Sequence, residues 1–154
     1  MIVSVSLYMK IFVGVTDREW FTQLSASHAD EVVFWKPGAP DNWHPIPVGA
    51  PFLFKLRKAP HVIAGGGFFV RYSKMPTSIV WDAFGRKTGR KSFNDLRETL
   101  NEITGNSSID PPCGCIILTQ TFFFDQEDWI PIKDWSISGP GMNFETDAGF
   151  GLSI

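Results

Sequence analysis

Apolar and polar positions along this 154-residue chain fall into short runs, most with a period of two and a few with a period near 3.6. Lys10–Val15 reads as a strand. Thr16-Asp17-Arg18-Glu19 then has the spacing of a capping box, and Trp20, Phe21 and Leu24 follow on one face of a short helix. Glu31–Trp35 is a second strand. It leads into a long loop, Lys36–Gly49, with four prolines and Asn42-Trp43-His44 at its middle. A loop of that length inside a small domain is often functional.

Pro51–Leu56 is a third strand, Ala59-Pro60 a turn, and His61–Tyr72 a return strand that Ser73–Pro76 breaks. Thr77 or Ser78 caps an apolar helix, Ile79–Phe84, which Gly85 ends. Ser92 caps another, with Phe93, Leu96, Leu100 and Ile103 along one face. Cys115–Phe124 is long and almost wholly apolar, as a central strand is, and Trp129–Ile132 is a short strand. From Trp135 onward the chain is rich in Gly and Ser and lacks a clear period. Short strands with small helices between them predict one α+β domain over residues 1–154, built as a compact, partly closed β-barrel with short peripheral helices. Met9 opens MKIFVGVTD, so residues 1–8 read as a leader ahead of it.

Composition adds a heavy aromatic load, with 14 Phe and 6 Trp, most of which must be core. Charge adds more. Residues 55–91 hold nine basic side chains against the single acid Asp82, while the rest of the chain holds five basic and fifteen acidic ones. A formal charge of -2 thus conceals a +8 segment in a -10 remainder. The segment also carries Phe68, Phe69, Tyr72, Trp81 and Phe84. Basic side chains neutralise phosphates and flat rings stack on bases, so the combination points to a held nucleotide. A solvated basic face is the plainer alternative.

Trp35, Trp43, Phe68, Tyr72 and Trp81 are the candidate base-stacking rings. Each has core packing as its alternative, except Trp43, which sits in a polar, proline-rich loop. Asn42 and Asp82 are the polar types able to read a base edge, although Asp82 also stands four residues before Arg86, the spacing of an ordinary helix ion pair. Arg71, Lys74, Arg86, Lys87 and Arg90 are the candidate phosphate contacts. Gly65-Gly66-Gly67 precedes a strand rather than a helix, which fits a bulge or a close approach by a flat ligand better than a phosphate loop.

Other chemistry is not in evidence. No nucleophile–histidine–acid pattern is recognisable, and no catalytic residue, cofactor or metal is expected. His28, His44 and His61 are scattered, and Asp125, Glu127 and Asp128 read as a surface turn. Cys113 and Cys115 share a strand face at a spacing unsuited to a relaxed disulfide, so both thiols are expected to be reduced in an intracellular protein. Residues 2–16 are too short and too polar to span a bilayer.

In order and spacing, MKIFVGVTDREWF, EVVFWKPG, PFLFKL, IAGGGFFVRYS with MPTSIVWDAFG, and CGCIILTQTFFF with DWIPIKDW resemble the N-terminal domain of predicted HNH-type restriction endonucleases. Such domains are similar to the PUA-like superfamily, which includes the SRA, EVE, YTH and ASCH modules. The resemblance implies a reader of modified cytosine in double-stranded DNA, with the base extruded into an aromatic pocket, in a bacterial cytoplasmic setting and with no membrane partner. It also implies an HNH nuclease module as partner in the parent protein. The sequence stops before such a module, so it reads as a recognition domain that does not cut DNA alone. Two alternatives stand beside it. One is an ASCH-like enzyme acting on a modified nucleoside, for which Lys55 and Asp82 are the conceivable pair. The other is a protein-interaction domain whose basic segment docks an acidic partner.

Overall fold

The computed structural model describes residues 10–43 and 46–132, and the main chain of 141–145. The expected leader at residues 1–8, His44, and most of the Gly- and Ser-rich stretch lie outside the described residues. Seven strands and three α-helices are present among them: β1 (Lys10–Thr16), α1 (Arg18–Ala26), β2 (Glu31–Trp35), β3 (Pro51–Leu56), β4 (Val62–Pro76), α2 (Thr77–Phe84), α3 (Phe93–Thr104), β5 (Pro112–Phe123), β6 (Ile130–Pro131) and β7 (Gly141–Glu145). The class is α+β, as the pattern predicts.

The strands form one sheet in the order β2-β5-β4-β3-β1-β7, with β6 added to β4. Every pairing is antiparallel except β1 with β3. The sheet rolls up. Register shifts interrupt β4 between Gly66 and Phe68 and again between Phe69 and Arg71, and β3 between Phe54 and Lys55. Such bulges bend a strand and increase its twist. The glycine run is where they cluster: a Cβ on Gly65 would collide with the carbonyl of Phe122, and one on Gly66 would meet the Phe52 carbonyl at 2.7 Å. The close approach foreseen there is therefore by neighbouring backbone.

Rolling brings β2, at one end of the strand order, against β3 and β1 further along it. Phe34 of β2 meets Phe52 of β3 with ring centroids 4.8 Å apart. A Cβ on Gly14 of β1 would lie 2.5 Å from both rings, so only glycine lets β1 pass there. Among the described residues no ladder joins β2 to β1 or β7, and the barrel stays open along that seam.

Period two decides which residues go inside. Val32 and Phe34 of β2, with Ile116 and Leu118 of β5, face the barrel interior alongside Phe12, Phe52, Phe54 and Phe69. Helix α1 plugs this core with Trp20, whose Nε1 donates to Val33 O at 3.1 Å and whose ring meets Phe54 at 4.9 Å. The alternate residues Val33, Cys113, Cys115 and Ile117 face outward and meet Val80 of α2 and Leu96 and Leu100 of α3. Strand β5 is thus buried on both faces, which is why it reads as a continuous apolar run. Each such Leu or Phe stabilises the fold by about 1.5–3 kcal/mol. Cys113 and Cys115 are free thiols with sulfurs 3.8 Å apart; that contact and burial together push the Cys113 pKa up.

Local readings differ in four places. Strand β4 does not break at Ser73 but runs to Pro76, because Pro112–Cys115 of β5 pairs with it throughout. Thr16 stays in β1, and the cap of α1 is Asp17, whose carboxylate accepts from Trp20 N at 2.7 Å. Neither Thr77 nor Ser78 caps α2; the cap comes from across the loop, where Asp110 accepts from Ser78 N at 2.8 Å. On α3, Ile103 is 51% exposed rather than core. The cap by Ser92 holds, accepting from Asp95 N at 3.1 Å.

Candidate functional site

The open seam is a pocket of about 740 Å³. Its walls are β1, the end of β2 with the loop Lys36–Pro40 and Trp43, the α1 cap Asp17, and Arg57 beyond β3; Ile103 of α3 also borders it. The volume lies in the range of small-molecule sites.

Trp35 ends β2 and packs against both hydrophobic clusters while lining the pocket. Its Nε1 is buried and has no hydrogen-bond partner among the described residues. An orphan donor of this kind costs free energy that a ligand acceptor would recover. Behind the ring stands Arg90, its guanidinium carbon 4.6 Å from the Trp35 centroid.

Trp43 also lines the pocket. Its ring lies 5.2 Å from that of Tyr72, and Lys36 Nζ stands over it at 5.2 Å. The loop that carries these groups is held mainly by main-chain atoms. Lys36 N donates to Gly114 O at 2.8 Å, and Ala39 N donates to Lys36 O at 3.3 Å. Ala39 O accepts from Lys74 Nζ at 3.1 Å and, more weakly, from the Tyr72 hydroxyl at 3.4 Å. A Cβ on Gly114 would strike the Lys36 carbonyl, so glycine there is what lets the loop lie against β5. Burial lowers the Lys36 pKa. Burial, first of all, pushes the Tyr72 phenol up.

The structure divides the expected site residues. Trp35 and Trp43 come together in the pocket, and Tyr72 backs Trp43. Asn42 is exposed on the loop beside Trp43. Phe68 lies elsewhere, against Phe122 on the sheet surface at 6.3 Å. Trp81 packs into the second core under α2. Asp82 is exposed on α2 and, among the described residues, forms no ion pair, so the Asp82–Arg86 pair is not made either.

The expected phosphate contacts divide as well. Arg71 and Arg86 are exposed and carry no ion pair among the described residues. Lys87 pairs with Glu31 at 3.2 Å, and Lys74 tethers the pocket loop and approaches Asp41 at 3.5 Å. Arg90 is 4% exposed. It donates to Asp17 at 2.9 Å, to Thr99 at 3.1 Å and to Gly89 O at 3.0 Å, so it supports the pocket from within and offers phosphate no surface. Lys55, 2% exposed, donates to Leu56 O at 3.0 Å in the barrel wall; it does not line the pocket, and neither does Asp82.

Sequence reasoning missed Lys36, Arg57 and Asp17 as site residues. Lys36 directly follows Trp35 at the start of a loop of a length that is often functional, which was the available signal.

No protein-family profile matches the sequence, and no curated protein matches it. Among solved structures, the chain is similar to two single-substitution variants of ZmASCH from Zymomonas mobilis. One matches with a TM-score of 0.48 and 10% identity over 75% of each chain. The other matches with a TM-score of 0.47 and 7% identity over 80% of this chain and 91% of that one. No group of three His, Cys, Asp or Glu side chains among the described residues is placed to hold a metal, and no helix among them is long and apolar enough to cross a membrane.

Proposed function

We propose that this chain is a PUA-like nucleic-acid-binding domain that holds one unpaired or extruded nucleotide in the seam pocket. The observation that carries the reading is the meeting of Trp35 and Trp43 in one pocket, with a lysine over the second ring. Ring stacking stabilises a base by about 1–3 kcal/mol, enough to offset much of the few kcal/mol that extrusion costs. Stacking accepts any base. Selection falls to polar groups, for which the buried Trp35 Nε1 and the exposed amide of Asn42 are the parts at hand. Exposed Arg71 and Arg86 would position a duplex through its phosphates.

In its finer form the base is a modified cytosine in double-stranded DNA, and the domain directs an HNH nuclease module of its parent protein. The test is fluorescence anisotropy at fixed salt with matched duplexes bearing cytosine, 5-methylcytosine, 5-hydroxymethylcytosine or the glucosylated form. A preference of about tenfold, or 1.4 kcal/mol, for one modified duplex is expected. Uniform, weak binding across the panel would sink the modified-base form.

A second reading has one observation in its favour. Lys36, its amine made less basic by burial, shares the pocket with Thr16 and Asp17, and an amine, a hydroxyl and a carboxylate are the parts of an amide-cleaving site for an acylated nucleoside. Against it, the Asp17 carboxylate is already engaged by Trp20 N and Arg90. Release of acid from acylated nucleosides by the purified protein would promote this reading over the first.

A further inference from the structure

We infer that the pocket is built for a phosphate-bearing nucleotide, with the phosphate on the Lys36 amine and Arg57 as the second cation. The inference rests on the nucleotide reading above and moves the decisive phosphate contact from the outer basic surface into the pocket.

Four observations carry it. Lys36 is half-buried, and among the described residues its ammonium has no ion pair and no hydrogen bond; it stands over the face of Trp43. The acids of the α1 cap and of the loop are engaged elsewhere: Asp17 with Arg90 at 2.9 Å, and Asp41 with Lys74 at 3.5 Å. Arg57 lines the same pocket and likewise has no ion pair among the described residues. Finally, both hydrogen bonds of the Lys36 main chain fix where the side chain starts, and its amine stands 5.2 Å from the centre of the Trp43 ring.

A half-buried ammonium without a counter-ion is disfavoured relative to one in water, and the direction of its pKa agrees. An anion binding there relieves that cost. A phosphate answers the requirement better than a neutral ligand because it adds charge and several acceptor oxygens at once. The position of the amine over Trp43 makes ring and phosphate contacts available to a single nucleotide.

The test compares deoxycytidine and 5-methyldeoxycytidine, each as the free nucleoside and as its 5′- and 3′-monophosphates, by quenching of tryptophan fluorescence in the intact chain. Inorganic phosphate is titrated alongside. A monophosphate should bind at least tenfold more tightly than its nucleoside. Lys36→Met should abolish that advantage, and Lys36→Arg should restore most of it, with unchanged thermal unfolding showing that both variants fold. Equal affinity for nucleoside and monophosphate would overturn the phosphate assignment and leave the nucleotide reading standing. An advantage that survives Lys36→Met would overturn the role of Lys36. Absence of quenching by every compound would remove the pocket reading along with the inference.

Discussion

Trp35 and Trp81 are both half-buried tryptophans flanking the same strand, β5, yet they do opposite things. Trp81 sits under α2 among Val80, Leu96, Leu100 and the two cysteines, a dry cluster with its helix ends capped by Gly85 and Ser92. Trp35 also touches that cluster, but it lines the open seam as well, and among the described residues its indole donor is unpaired and the nearby Lys36 has no counter-ion. One side of the molecule has resolved its local conflicts and the other has kept several within a single pocket. Unresolved polar groups of this sort are what the proposed site would offer a nucleotide. Ring type and degree of burial do not distinguish the two tryptophans; the state of their neighbours does.

That contrast predicts that changes on the closed side alter stability alone and changes on the open side alter binding first. The largest expected effect is on the closed side. Leu96→Ala deletes a fully buried side chain and should cost about 2–5 kcal/mol in denaturant unfolding. Nucleotide affinity, measured where the variant is still folded, should be unchanged. A matching loss of affinity would show that α3 shapes the pocket and would break the division.

Gly114→Ala is the intermediate case. The added methyl meets the Lys36 carbonyl and the Tyr72 hydroxyl, so the loop must shift from β5. We expect a stability loss of about 1–3 kcal/mol and a drop in nucleotide affinity larger than that of any closed-side variant. Unaltered affinity, with the stability loss present, would mean that the loop's position does not matter to the ligand.

The smallest effect is on pH dependence. Burial holds the folded-state pKa of Lys36 below its ordinary 10.5, so the unfolded chain binds this proton more tightly than the folded one. Between the folded value and 10.5 the contribution of Lys36 to stability therefore rises with pH, and it is level on either side. Asp17, Arg57, Arg90, Asp41 and Lys74 are the other charges around it. Lys36→Met should flatten this alkaline rise. In the native chain, monophosphate binding should take up protons in the same window, detectable by calorimetry in buffers of differing ionisation enthalpy. An identical alkaline profile in native chain and variant would place the titration on another group.

Much of the fold was legible because alternation is a strong signal where both faces of a strand are buried or one is plainly inside. Cys115–Phe124 and Pro51–Leu56 show this directly. The break foreseen at Ser73–Pro76 was not real, since partner strand β5 supplies the pairing that local composition does not advertise. The pocket was half legible. Trp43 stood out because a ring in a polar loop lacks a local reason to be there, whereas Trp35 carried no such signal. Phe68 and Trp81 look the same in sequence, and only the roll of the sheet sends them elsewhere. Charge counted over residues 55–91 did not reveal how those cations are distributed in space. The fold spreads those cations over a strand end, a loop tether, a surface pair and a buried brace, while Lys36 lay outside the counted stretch.

The way the loop is fastened has a consequence for change over time. From Lys36 to Ala39 it is attached through carbonyls and amides, gripped by Lys74 and Tyr72 from the sheet, and the Trp43 ring packs on Tyr72, while the side chains at positions 36 and 42 make no hydrogen bond that fastens it among the described residues. Those positions can be exchanged without unlatching the loop. A family of chains on this scaffold could diverge in what they recognise while keeping the barrel intact, and a library randomised at these two sites is the natural starting point for redirecting it.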